Sequence, residues 1–454
     1  MGEAASATEI LGRFVAESRF EALPEALRHE GRRSILNHVG CALGVARDPA
    51  VITALEIMRD ASGKPSATVL GQRDRLGVME AAFVNAIASN LLDYDDTHLR
   101  TVIHPSAPVA PVAFALGEEI NASGAEVLHA FLLGAEIACR IGNAVSPGHY
   151  ARGWHITASC GVFGAAAAAA RLLRLSAEQT AHALGIAASQ SGSIVENLAT
   201  AAKNIGVGNA ARNGILAARF AARGYRAAPL AIEGPLGWAR AMGDEAVLAE
   251  ITEGLGQRWE IARNTYKPYA AGIVFHAVID ACLALREKFG AAVAQIARVK
   301  VAGDALLLAR GDREVRNERD TRVSIHHCAA IALLLGRADV ADFDMPAVQD
   351  PALAALRGKV LAECDASLPR GAARVTITLT DGSTHQHYVE HPRGSAENPL
   401  SDAELATKYR ANAALGGTTA NVEAQIAALW ALDQSASIAP LMALLSSPAR
   451  NAAG

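Results

Sequence analysis

The sequence predicts a mainly α protein: a large all-α helical domain built from both ends of the chain, plus a smaller inserted α+β lid domain. Three observations lead there. Aromatic residues make up 5% of the 454 residues and hydrophobic residues 51%, so alanine supplies much of the apolar volume. Side chains that small favour closely packed helices over a sandwich of sheets. Helix-start signatures recur in the first half and again after residue 400, as in Ser123-x-x-Glu126, Ser176-x-x-Gln179 and Ser401-x-x-Glu404. Strand-like alternation falls only between those two regions. The expected boundaries are 1–264 for the helical domain, 265–398 for the lid, and 399–454 for helices returning to the first domain. Two domains are also the default for a chain longer than the size at which one core stops growing.

Taken in order, residues 7 to 60 read as two helices, with Pro24 opening the second and apolar spacing through Leu36, Val39 and Leu43. Gly63-Lys64-Pro65 breaks the pattern, and Ala67 to Gly71 reads as a short extended piece. Glu80 to Leu92 and Val109 to Ile120 are apolar helices, and Pro105 suits an early helical position because its missing N–H would be unpaired there anyway. The box at Ser123 opens a helix to Ile141. Ala158 to Leu175 is dominated by glycine and alanine and reads as the central helix of a bundle. Further helices run from Ser176 to about Ser189 and from Asn204 to Arg223, with Lys203 at or just before the start of the latter. The helical reading continues to about residue 262. Ile296 to Val301 then alternates as a half-buried strand does, and Arg374 to Leu379, Asp381-Gly382 and Thr384 to Val389 form a hairpin with a primed turn. Helices Ala270 to Lys288 and Ser324 to Leu335 lie between. No repeat of fixed period supports a solenoid.

Composition excludes several classes. Forty-two Lys and Arg against 46 Asp and Glu leave a net charge of −4, with no basic field for nucleic acid. An anionic ligand must therefore be held by local positive charge. The six cysteines are scattered without a CxxC pair and most lie in apolar helical surroundings, which suits reduced thiols and a cytoplasmic location. The N-terminal stretch is acidic and polar and does not read as a cleavable signal. Alanine-rich runs such as Gly161 to Leu175 are too short for a membrane span.

Against that apolar background, Leu91 to Ser106 (LLDYDDTHLRTVIHPS) gathers Asp93, Asp95, Asp96, Thr97, His98, Arg100 and His104. Ionisable groups beside apolar helices are costly unless paired or used. The plain alternative is a solvated loop whose aspartates cap the next helix. Four further windows carry polar chemistry. His155 precedes the small-residue helix, Lys203 enters a Gly/Ala-rich helix, Tyr266-Lys267-Pro268-Tyr269 is followed by His276 and Asp280, and Ser324-Ile325-His326-His327 starts a helix. Taken singly, each also reads as a core histidine, a snorkelling lysine or a hinge. Adjacent histidines face different sides of a helix, so at most one of His326 and His327 reaches a shared pocket. There is no phosphate loop, GxSxG or dinucleotide fingerprint. Histidines near lysines suit proton transfer beside a carboxylate: cations hold the carboxylates and an enolate-like intermediate while a neutral His or an Asp removes the proton. Zinc is the competing chemistry, but the HxH pair His385-x-His387 falls on an exposed hairpin strand and no metal site is expected.

The blocks LLDYDDTH…HPS, GWHITASCGVFGAAAAAARLL, KNIGVGNAARNG, AIEGPLG, YKPYAAGIVFHAVIDA, SIHHCAAIALLLG and NPLSDAEL, in this order between about residues 10 and 430, resemble the successive blocks of the MmgE/PrpD family. That family includes 2-methylcitrate dehydratase, cis-aconitate decarboxylase and iminodisuccinate epimerase, which act on small polycarboxylates without a metal or organic cofactor, typically as homodimers. The resemblance implies catalytic places for Asp93, His104, His155 and Lys203, and substrate contacts from Thr97 and Lys267. Tyr269, His276 and His327 complete the expected substrate-binding set. Two positions depart from the decarboxylase: its catalytic histidine five residues after the lysine is Gly272 here, and its lid tyrosine aligns with His327, a candidate replacement proton donor. The leading expectation is a cofactor-independent, 2-methylcitrate dehydratase-like hydro-lyase. Epimerisation of an iminodisuccinate-type acid comes next, then cis-aconitate-type decarboxylation. A non-catalytic polycarboxylate-binding protein is the alternative of another class.

Overall fold

The computed structural model describes residues 5–243, 245–418 and 421–447. It is mainly helical, with a small mixed sheet in its C-terminal part. Two compact units partition the chain: Met1–Leu91, Asp95–Asn264 and Asp402–Gly454 form the first, and Leu92–Tyr94 with Thr265–Ser401 the second.

In the first unit the helix Ile156–Leu172 is buried at every position from Ile156 to Ala170. It packs against Gly124–Val145, Ser106–Glu119 and Ala202–Ala222. The closeness of one crossing is set by glycine: a Cβ at Gly134 would lie 2.5 Å from the Gly164 carbonyl oxygen, and one at Gly164 would lie 2.5 Å from that of Gly134. Two of the three boxes read from the sequence are formed, at Ser123 with Glu126 and at Ser176 with Gln179. A buried ion pair joins Glu136 Oε1 to Arg140 Nε at 2.5 Å. The Arg140 guanidinium also donates to the carbonyls of Glu253 and Arg258, while Glu136 Oε2 accepts the N–H groups of Glu260 and Ile261. Such a pair is tolerable inside a protein only because these further bonds satisfy it. The helix Asp402–Leu415 lies against Glu25–Gly44, where Lys408 Nζ reaches Asn37 Oδ1 at 2.8 Å.

Three expectations are corrected. The N-terminal stretch holds three helices, because Asp48 caps a separate one at Pro49–Ala61 by accepting the Ala50 N–H. Helix does not continue to residue 262. After Ala222 the chain runs through turns with two short helices, Trp238–Met242 and Ala249–Thr252, as Gly224, Pro229, Gly234, Pro235 and Gly237 dictate. The hairpin turn is not primed: of Asp381 and Gly382 only Gly382 has positive φ (+85°), and its N–H bonds the Leu379 carbonyl. That is a type I turn closed by a left-handed glycine.

The second unit contains a four-stranded sheet ordered Val360–Cys364, Ile296–Gly303, Ala373–Leu379, Thr384–Val389. The first pair is parallel and the other two antiparallel. Helix His276–Phe289 packs on the last two strands, and Ile325–Leu335 on Val360–Cys364 and on that helix. Ala373–Leu379 alternates buried and half-buried residues, as a strand with one covered face must.

Candidate active site

In the first unit a polar cluster forms where the buried helix Val78–Asn90 ends. Asn90, Asp95, Asp96 and Thr97 are wholly inaccessible, and His98 nearly so. The short strand Asp96–His98 precedes a turn that brings His104 back onto it. His104 Nδ1 lies 2.9 Å from the Asp96 carbonyl oxygen, 3.2 Å from Asp95 Oδ1 and 3.3 Å from Thr97 Oγ1. A backbone carbonyl only accepts, so Nδ1 carries the hydrogen and, in the neutral ring, Nε2 carries the lone pair. The side chain retains 12% exposure.

Asp95 Oδ2 in turn accepts from Asn90 Nδ2 at 2.6 Å. The Asn90 carbonyl receives Lys203 Nζ at 3.4 Å and Asn204 Nδ2 at 2.9 Å. Lys203 is 2% exposed in the first turn of Ala202–Ala222, so an ammonium is brought into the interior beside this network. On another side Thr157 Oγ1, in the first turn of Ile156–Leu172, accepts the His104 backbone N–H at 3.2 Å. His155 is the N-cap residue of that helix and is also buried; its backbone N–H bonds the Ser193 carbonyl. Asp96 Oδ2 accepts from Ser106 Oγ at 2.6 Å and Asn264 Nδ2 at 2.5 Å. Burial, and then the neighbouring Asp95 charge, push the Asp96 carboxyl up to about 6. His98 Nε2 faces Glu260 Oε2 at 3.3 Å, and its Nδ1 lies 2.8 Å from Thr101 Oγ1. The His98 contact, outweighing burial, holds Glu260 down at about 2.

The remaining expected residues lie in the second unit. Asp93 adopts a left-handed backbone, φ +52°, which a non-glycine residue keeps only when its surroundings enforce it. Lys267 Nζ, almost fully buried, donates to the Asp93 carbonyl at 2.9 Å. The buried guanidinium of Arg322 donates to the carbonyls of Leu92 and Ala270. Tyr269 donates its hydroxyl to Asp280 at 2.6 Å, and its ring meets His276 edge-on. His276 is inaccessible, with Nε2 3.2 Å from the Ala271 carbonyl. His327 is likewise inaccessible: Nε2 donates to the Asp342 carbonyl at 2.8 Å, and Nδ1 accepts from Arg357 at 3.2 Å. Burial lowers its basicity to about 4, so it stays neutral with both nitrogens occupied. His326, on the other face, pairs with Asp312.

Within the first unit the structure therefore joins Thr97, His104 and Lys203 through Asn90 and Asp95, with His155 beside Thr157. Within the second it joins Asp93 to Lys267, and Tyr269 to His276. Sequence reasoning assigned no part to Asn90, Asn204, Asn264 or Arg322. The DYDD run signalled Asp95 and Asp96, but an amide inside an apolar helix carries no spacing signature. Among the described residues no group of three or more His, Cys, Asp or Glu side chains is arranged to hold a metal ion. Nor is any helix among them long and apolar enough to cross a membrane.

A buried carboxylate, an imidazole of fixed tautomer and a buried ammonium on one hydrogen-bonded network are the parts of a site that moves a proton beside an anion. The chain belongs to the MmgE/PrpD family: the MmgE/PrpD N-terminal domain matches residues 9–250 and the C-terminal domain residues 269–434. It is 30% identical over 445 residues to the cis-aconitate decarboxylase of Homo sapiens, covering 94% of this chain and 92% of that protein. To the Mus musculus cis-aconitate decarboxylase it is 28% identical over 467 residues, 98% and 94% of the two chains. To that of Aspergillus terreus it is 26% identical over 460 residues, 94% of each.

Proposed function

We propose that this chain is a lyase-type enzyme that withdraws a proton α to a carboxylate in a small di- or tricarboxylate, with dehydration of a 2-methylcitrate-like acid as its specific form. The observation that carries this reading is the tautomer of His104, which in the neutral ring leaves Nε2 with the lone pair that accepts a proton. This reading makes His104 the base, in place of the other two candidates, His155 and Asp93. His155 becomes the partner acid at a helix N-terminus, where developing negative charge is favoured. Lys203 holds a substrate carboxylate and stabilises the enolate-like charge that follows proton loss. The parts proposed for Asp93, Thr97 and Lys267 at the substrate rest on the family blocks. His327 is withdrawn from the substrate-binding set because both its ring nitrogens are occupied. Tyr269, its hydroxyl given to Asp280, and His276, wholly inaccessible, are assigned structural parts. A homodimer is the proposed functional form, again from the family.

Decarboxylation is the second reading, favoured by the names of the relatives. Residue 272 weighs against it. A Cβ at Gly272 would stand 2.8 Å from Phe275 Cε2, so the ring occupies the space that an acid–base side chain at 272 would need. Proton NMR in D2O on citrate, 2-methylcitrate, cis-aconitate, malate-type and iminodisuccinate-type acids separates the readings. Loss of water with a new vinyl signal supports the dehydratase. Deuterium at an α-carbon with no new skeleton points to an epimerase, and loss of a carboxylate restores decarboxylation. A ligand-induced melting shift without turnover on any acid points to a binding protein.

A further inference from the structure

We propose that Asp95 is a positioning residue that stands beside the Nδ1–H imidazole set by the Asp96 carbonyl and supplies the counter-charge when His104 Nε2 takes a proton. The proposal rests on the reading of His104 as the base. Of the groups around Nδ1, the Asp96 carbonyl at 2.9 Å and Thr97 Oγ1 at 3.3 Å are neutral, and Asp95 Oδ1 at 3.2 Å is the carboxylate oxygen in contact. A carbonyl orients a neutral ring, but a carboxylate also stabilises the imidazolium. Asp96, although adjacent, meets the ring through its backbone, while its Oδ2 is committed to Ser106 and Asn264.

Asn90 fixes the orientation of Asp95. Its Oδ1 accepts from Asn204 Nδ2 at 3.1 Å, which aims its own Nδ2 at Asp95 Oδ2, 2.6 Å away. A donor therefore sits on one carboxylate oxygen, and the imidazole Nδ1 lies 3.2 Å from the other. The same Asn90 accepts the Lys203 ammonium on its carbonyl, so one amide residue braces both the proposed base and the proposed carboxylate clamp.

This arrangement gives Asp95→Asn a specific consequence. Asn90 Nδ2 can be accepted only by the oxygen of the introduced amide, which turns the amide nitrogen toward His104 Nδ1. A donor then stands where the carboxylate stood, while the Asp96 carbonyl, which can only accept, still holds the hydrogen on Nδ1. In Asp95→Ala the same carbonyl keeps Nδ1 protonated, and only the counter-charge is lost.

The experiment is long-range 1H–15N correlation of the histidine side chains in the full-length protein from pH 5 to pH 8, with the His104 signals assigned by their loss in His104→Gln. The wild type at pH 8 is expected to show protonated Nδ1 and bare Nε2. Asp95→Asn is expected to keep that tautomer, held by the Asp96 carbonyl, with kcat down about a hundredfold or more and KM within about threefold. Asp95→Ala is expected to keep the wild-type tautomer while kcat falls. An Nε2–H signature in the wild type overturns the proposal without need of any variant. So do His104 15N signals in a folded Asp95→Asn protein that follow those of the wild type at every pH from 5 to 8. The tautomer is read without substrate, so silence of the wild type on every acid overturns the proposed reaction and leaves the structural result standing.

Discussion

Asp96→Asn isolates the cost of placing two carboxylates side by side in a dry interior. Asp96 is fully buried beside Asp95, and its carboxyl is raised from 3.8 to about 6, first by burial and then by that neighbour. A folded value above the unfolded one means the native state binds the proton more tightly. The stabilisation is complete below pH 4 and is lost as pH rises through 6. About two units correspond to about 3 kcal/mol between those limits. An amide cannot titrate, so the stability of Asp96→Asn minus that of the wild type should rise by about 3 kcal/mol between pH 4 and pH 8. Any fixed cost of burying the amide N–H cancels from that difference. Denaturant melts at half-unit steps of pH read it directly. A difference that stays flat with pH, or that falls as pH rises, refutes the picture of a second buried carboxylate that ionises only at a cost.

His98→Gln should raise the pH of acid unfolding. Glu260 is held near 2 chiefly by His98, so it gives stability that is present above 4.5 and lost as pH falls through 2. An unchanged acid midpoint by circular dichroism counts against this. Gly164→Val drives a side chain into the Gly134 carbonyl and should cost at least about 1–3 kcal/mol, read as a lower melting temperature; a wild-type melt sinks the close-crossing argument. Arg140→Met leaves the Glu136 charge buried and the Glu253, Gly254 and Arg258 carbonyls without this donor, and should destabilise by about 3–5 kcal/mol in denaturant titration.

The helices of the first half were legible because their signals are local. Capping boxes at Ser123 and Ser176 announce themselves, and the glycine and alanine of Ile156–Leu172 foretell a helix covered on every side. What was missed depended on weaker punctuation. Asp48-Pro49 looks like a kink in one long pattern until the Asp48 side chain is seen capping, and a DG pair fits two hairpin geometries. The site divides in the same way. Charged residues concentrated in Leu91–Ser106 were visible as a cluster, and His104 and Thr97 do meet. The residues that hold them are amides and a threonine whose partners lie far along the chain. Asn90 meets Asn204, Asn264 meets Asp96, and Thr157 meets the His104 backbone; tertiary structure alone creates those pairings. His327 illustrates the reverse error. Its alignment with a tyrosine of the family suggested a proton donor, whereas Asp342 and Arg357 use both its nitrogens.

The measurement that bears most directly on the proposed function is the transfer of the α-proton of the substrate acid to solvent in D2O. Proton NMR follows it for the wild type and for a folded His104→Gln protein on whichever acid of the panel turns over. The account expects the wild type to lose the α-proton signal with turnover, and His104→Gln to slow that loss by at least about a hundredfold. Loss of the α-proton at the wild-type rate in His104→Gln would contradict it and return the base to another residue.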